Sequence, residues 1–115
     1  MKKKSKIQVG MKFDNGKEPL DLIPYEALKE IAKVLDFGGK KYNYFNWLSG
    51  IQYRRLISAA FRHINKFNSG ENIDDETKTN HLANAICSLM FILHYESNKK
   101  LYKKFDDRGF KRNNT

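Results

Sequence analysis

Residues 51–68, IQYRRLISAAFRHINKFN, constrain the fold more than any other stretch. Tyr53, Leu56, Ile57, Ala60, Phe61, Ile64 and Phe67 recur at the i, i+3, i+4, i+7, i+8 spacing of one helical face, and Gly70 stops the pattern. A helix of this kind has to bury that face against another element. Residues 24–37 supply one: Ala27, Leu28, Ile31, Val34 and Leu35 share a stripe from which Glu26, Lys29, Glu30 and Lys33 fall away. Pro24 suits the first helical position, and Gly38-Gly39 is the expected end. A third helix, predicted over 78–97, is apolar around most of its circumference, so it belongs in the middle of a bundle or in a subunit interface. KKLYKKF adds a last amphipathic turn or two. The fold class is therefore all-α, a small helical bundle. Because helix three has more apolar surface than two neighbours cover, a homodimer or higher homo-oligomer is expected.

At 115 residues, 40% of them hydrophobic, the chain is expected to form one domain over 12–105 between basic flexible tails at 1–11 and 106–115. The formal charge of +9 implies attraction to polyanions: nucleic acid, an anionic membrane, or the phosphates of free nucleotides. Cys87 has no partner within the chain, which excludes a disulfide framework and fits a reducing cytoplasm. MKKKSKIQVG lacks the apolar core of a signal peptide, and no run reaches the ~18 apolar residues needed to cross a bilayer, so no membrane partner is expected.

The polar residues concentrate between helices two and three, in FRHINKFNSGENIDDETKTNHLANAICSL. On a helical wheel His63 lies at the edge of helix two's apolar stripe, whereas Arg62 lies away from it. His81, Asn84 and Ser88 fall within about 60° of one another on helix three. A polar stripe on a buried helix must be satisfied by protein, water or ligand. Glu71, Asp74, Asp75 and Glu76 lie between the two helices. Carboxylates beside imidazoles suit either a hard divalent cation or the fixing of a histidine tautomer. Each feature also has a purely structural explanation. His63 can be a core-edge histidine, the stripe a packing network, and DDET an acidic helix N-terminus. Trp47 can be a lid over the core, and Lys40 and Lys41 solvated charge.

Taken together, KFDNGKEPLDLIPYEALKEIAKVLDFGGKKYNYFNWLSGI, AAFRHINKFNSGENIDDET and HLANAICSLMFIL, in that order over residues 12–95, resemble the phage dATP/dGTP diphosphohydrolase-like domain family. That family is related to the all-α nucleoside triphosphate pyrophosphatases of the MazG type. The resemblance implies hydrolysis of a purine deoxynucleoside triphosphate to the monophosphate and pyrophosphate. It also implies Mg²⁺ as cofactor, with Mn²⁺ as a substitute. It places Glu71, His63 and His81 in catalysis and Glu71, Asp74 and Glu76 on the metal. Asp14, Lys17, Lys41, Asn46, Trp47, Arg62 and Asn84 would bind the nucleotide. Lys17, Lys41 and Arg62 would meet the phosphates, Trp47 would stack on the base, and Asn46 would bond its edge. Because helix two turns Arg62 away from His63, the loop or a second subunit would have to meet that guanidinium. The location implied is cytoplasmic, the host's for a phage-encoded chain.

MazG relatives carry Glu-x-x-Glu on one helix and Glu-x-x-Asp on another, but here the third helix carries His81-x-x-Asn84. Fewer acids weaken catalysis more than binding. Two alternatives follow: a protein that binds and sequesters a nucleotide or nucleotide second messenger without hydrolysis, and, less favoured, a basic nucleic-acid-binding module.

Overall fold

A computed structural model describes residues 7–109. The elements are α1 (Tyr25–Lys41), α2 (Tyr53–Asn68), α3 (His81–Glu96) and the short α4 (Lys99–Tyr102), with 3₁₀ turns at Leu20–Leu22, Asn46–Ser49 and Lys103–Phe105. Among the described residues there is no strand, only an isolated antiparallel bridge between Ile73 and Asn80. The all-helical class is as the periodicity predicts. α3 is the central element, laid mainly along α2 and also against α1. The tail residues 1–6 and 110–115 lie outside the described residues.

Helix ends depart from the sequence expectation where a specific contact decides them. α1 runs through Gly38-Gly39 to Lys41 instead of stopping there. Gly39 is buried because the Tyr44 ring lies over it, and a Cβ at that position would collide with the ring. Packing thus outweighs glycine's low helix propensity of about 1 kcal/mol. α3 starts at His81, later than DDET suggests, because Asn80 is its cap: Asn80 Oδ1 accepts from Leu82 N at 2.7 Å and Ala83 N at 3.2 Å. The preceding acids are left in a loop. α2 has no capping side chain of its own at Gln52. Asp107 serves instead, its carboxylate accepting from Arg54 N at 2.9 Å.

The core is built on tyrosine. Tyr53, Leu56, Tyr95 and Tyr102 are its buried residues, with Trp47, Ile51, Ile57, Phe91, Ile92 and Phe105 packed around them. Burying a tyrosine is favourable only if its hydroxyl finds an acceptor. Tyr53 donates to Glu96 at 2.6 Å, Tyr102 to the Leu48 carbonyl at 2.7 Å, and Tyr95 to the Trp47 carbonyl. The first bond ties α2 to α3, and the other two tie the Asn46–Ser49 turn onto α3 and α4. Arg108 lies over the Tyr53 ring, 5.4 Å from its centroid, while its guanidinium grips Asp106 at 2.7 Å. One face of α3 is left out of this packing: Leu82, Ile86, Leu89 and Leu93 are 39%, 44%, 48% and 69% exposed.

Candidate functional site

The opposite end of the α2–α3 pair carries the polar cluster. α2 ends at Asn68, and Gly70, at φ 107°, turns the chain into the loop that leads to α3. That loop is tight. His81 N donates to the Asn72 carbonyl at 2.9 Å, Asp74 N to Thr79 O at 2.8 Å, and Lys78 N back to Asp74 O at 2.8 Å. Lys78 takes a left-handed φ of 61° to close it. The Ile73–Asn80 bridge fixes the register, and so brings Asp74 beside His81 although they are seven positions apart.

Three side chains then form a chain of contacts. Glu71 Oε2 lies 2.6 Å from His81 Nε2, and His81 Nδ1 lies 2.9 Å from His63 Nδ1. His81 is 2% exposed. A carboxylate can only accept, so His81 Nε2 carries a hydrogen and donates it to Glu71. In the neutral ring His81 Nδ1 is then an acceptor, and His63 Nδ1–H donates to it. His63 Nε2 is left unprotonated on a ring that lines the cleft. Burial, and then the proximity of His81, holds the His63 imidazole below its ordinary 6.5, although Asp74 opposes this. Asp74 completes the cluster: one ligand atom each from His63, Asp74 and His81 lie within 4.8 Å of one another. Burial works to raise the Asp74 carboxyl. Backbone N–H groups of Glu76 and Thr77, with His81 and His63 nearby, nevertheless hold it below its ordinary 3.8.

The cluster sits in an open cleft of about 1110 Å³ whose walls include Tyr42, Arg62, His63, Lys66, Glu71, Asp74, Glu76 and His81. Arg62 lines the same cleft as His63 within one chain, where the loop residues Glu71, Asp74 and Glu76 share its walls, so the loop and not a second subunit meets it. Adjacent helical residues differ by about 100°, and a long guanidinium side chain spans that angle across an open cleft. Lys66, one turn beyond Arg62, was missed by the sequence reading, although its i+4 spacing was the available signal.

Other predicted residues lie elsewhere. Asn46 and Trp47 line a second, more apolar cavity of about 170 Å³, which shares Tyr42 with the cleft. The Trp47 ring stacks on Phe91 with centroids 4.8 Å apart. Asn84 donates to Thr79 Oγ1 at 2.8 Å and to the Asn80 carbonyl at 2.9 Å, so it braces the start of α3. Lys41 lies over the Tyr42 ring at 5.2 Å. Asp14 and Lys17 form an exposed turn with a 3.0 Å backbone bond, outside the residues that line the cleft.

Fold and cleft define a small all-helical domain with one polar end built from histidine and carboxylate. Residues 8–108 match the family described as dATP/dGTP diphosphohydrolase, N-terminal, and the chain belongs to that family. A protein of Salmonella phage PMBT28 named dATP/dGTP diphosphohydrolase is 41% identical over 90 residues. The match covers 78% of this chain and 31% of that relative, so the chain spans about a third of the relative's length. No solved structure matches it. No helix among the described residues is long and apolar enough to cross a membrane.

Proposed function

We propose that the cleft binds a purine deoxynucleoside triphosphate and hydrolyses it to the monophosphate and pyrophosphate, as the name of the phage relative suggests. The observation that carries this reading is the convergence of His63, Asp74 and His81 beside two cations, Arg62 and Lys66, in one open cleft. The cations meet the phosphate charge, and the cluster prepares the attacking water. Glu71 acts through His81 by fixing its tautomer. The base enters the smaller cavity across Tyr42, where Asn46 bonds its edge and Trp47 forms part of the wall. Kinship with the all-α nucleoside triphosphate pyrophosphatases belongs to the same proposal.

Mg²⁺ as a protein-held cofactor does not fit the donors. It prefers an all-oxygen shell, whereas Glu71 is engaged by His81 and the atoms that converge include two imidazoles. Mg²⁺, or Mn²⁺ in its place, enters here as the counter-ion of the triphosphate. Incubation of the protein with each dNTP and Mg²⁺ tests the function: pyrophosphate and dAMP or dGMP are expected, and intact dATP and dGTP at high protein concentration would sink it.

A second reading, nucleotide binding without hydrolysis, is favoured by the match to only 31% of the relative. It requires intact ligand to be recovered after heat denaturation. For assembly we propose a homodimer through Leu82, Ile86, Leu89 and Leu93. The stripe carries no charge, so two copies of a chain of net charge +9 can meet there without opposing like charges. Sedimentation at micromolar concentration as a monomer would count against it.

A further inference from the structure

His63 and His81 face each other through the same ring atom, Nδ1 to Nδ1 at 2.9 Å. A hydrogen bond explains that spacing, and so does a shared ion. Two donors each about 2.1 Å from one metal and at right angles to each other lie about 3.0 Å apart. An Asp74 oxygen is the third donor: one ligand atom from each of the three residues lies within 4.8 Å of the other two. Three further features are those of a metal-binding histidine site. The outer nitrogen of His81 is bonded to a carboxylate at 2.6 Å, the arrangement that orients a ligating imidazole and raises its basicity. The His81 side chain is 3% exposed, so its inner nitrogen is held in place by the fold. The Asp74 carboxylate accepts from Glu76 N at 2.9 Å, with the Thr77 N–H also on it, which holds the group in place, and its two oxygens have more acceptor sites than these two donors fill.

We propose that His63, Asp74 and His81 form a three-donor site for one divalent transition-metal ion of the Mn²⁺, Fe²⁺, Co²⁺ or Zn²⁺ class, with Glu71 as the positioning residue behind His81. Two imidazoles and one carboxylate on one side of an ion suit these borderline cations and leave its other side to ligands from the cleft. The site discriminates against Mg²⁺, which binds imidazole poorly and keeps its own waters. To receive the ion, His63 moves its hydrogen from Nδ1 to Nε2, and both rings stay neutral. This proposal rests on the cleft being the reactive centre, but its test reads the metal alone.

Metal-stripped full-length protein is titrated with Co²⁺, Mn²⁺ and Mg²⁺, followed by calorimetry and by the visible absorption of bound Co²⁺. One equivalent of Co²⁺ is expected, bound at least about 100-fold more tightly than Mg²⁺, with a spectrum showing nitrogen ligation. Asp74→Asn and His63→Gln are expected to weaken Co²⁺ by about 100-fold or more, and Glu71→Gln by about 10-fold with an altered spectrum. Asp75→Asn, at a residue 97% exposed in its side chain, should bind as the unaltered protein does. Circular dichroism of each variant separates loss of ligand from loss of fold, and two ligand positions keep the test alive if one variant does not fold. Equal affinity for Co²⁺ and Mg²⁺, no bound Co²⁺, or binding unchanged in Asp74→Asn and His63→Gln overturns the site. Cleavage of dGTP without Co²⁺ binding would retain the nucleotide reading and remove this site. Specific Co²⁺ binding without any nucleotide cleavage would do the reverse.

Discussion

The two ends of the α2–α3 pair are made from the same helices and solve opposite problems. At one end Tyr53 opens α2 and Tyr95 closes α3; at the other, His63 lies near the end of α2 and His81 begins α3. The tyrosine hydroxyls are fully used inside the molecule, each donating to a named acceptor. The histidine chain is not closed: it runs from Glu71 through His81 and stops at His63, with a second nitrogen and the Asp74 carboxylate beside it. A polar network that ends within the protein makes scaffold. One that ends at a cleft has donors left for a ligand.

Replacing a residue at each end is the most direct way to break that contrast. His63→Ala should lower dGTP turnover by about 10² to 10⁴-fold, the usual contribution of a positioned acid–base or ligand group. The melting temperature should move little, because His63 is only half buried. A variant that keeps more than half its activity would make the histidine end structural. Tyr95→Phe should do the opposite. It leaves the Trp47 carbonyl without its donor and should cost about 1–3 kcal/mol of stability in chemical denaturation, with turnover per folded molecule unchanged. A large activity loss at full stability would mean that the two ends are coupled.

The tyrosine end was legible in the sequence and the histidine end only partly so. Periodicity at Tyr53, Leu56, Ile57 and Ala60 reports burial directly, and it placed α2 within two residues at its start. It also exposed the unmatched apolar surface of α3, where Leu82 to Leu93 remain partly uncovered. The concentration of acid and histidine between 61 and 89 likewise marked the cleft. Which of those residues meet depends on a loop whose geometry has no period. The Ile73–Asn80 bridge brings Asp74 to His81, Asn84 turns its amide onto Thr79 Oγ1 and the Asn80 carbonyl, and Glu71 lies against His81. None of these pairings follows from spacing along a helix. The wheel turned Arg62 away from His63, yet both line the cleft, since a wheel shows where Cβ points and not how far a long side chain reaches.

Strain offers a smaller test of the same contrast. Lys78 holds φ at 61° to close the site loop, a conformation that costs an L-residue about 1 kcal/mol and glycine almost nothing. Lys78→Gly should therefore raise stability by up to about 1 kcal/mol, offset in part by the freedom glycine gains in the unfolded chain. Its 3.3 Å pair with Asp75 is exposed and contributes little. Unchanged or raised stability with intact turnover supports a loop strained for geometry, whereas a loss above 1 kcal/mol would show that the Lys78 side chain itself holds the loop.

The smallest expected effect separates the two ends by pH. At the tyrosine end the Arg108 guanidinium holds the Asp106 carboxyl well down, from 3.8 to about 2. The bond from Tyr53 similarly keeps Glu96 below its ordinary 4.5. A carboxylate whose pKa is lower in the folded than in the unfolded chain gives its full stabilisation above the unfolded value. The unfolded state binds the proton first, so that stabilisation is lost as pH falls from about 4 towards 2. Asp106 is exposed and Glu96 only half-buried, so solvent screens the effect and the acid limb should be shallow. In Asp106→Asn the plot of unfolding midpoint against pH should flatten below about pH 4 and keep its shape above it. That outcome would assign the acid limb to the clasp of Asp106 and Arg108 over Tyr53. An unchanged limb would instead place acid sensitivity at other carboxylates, and Asp74, held below 3.8 within the cleft, would be the first to test by the same substitution.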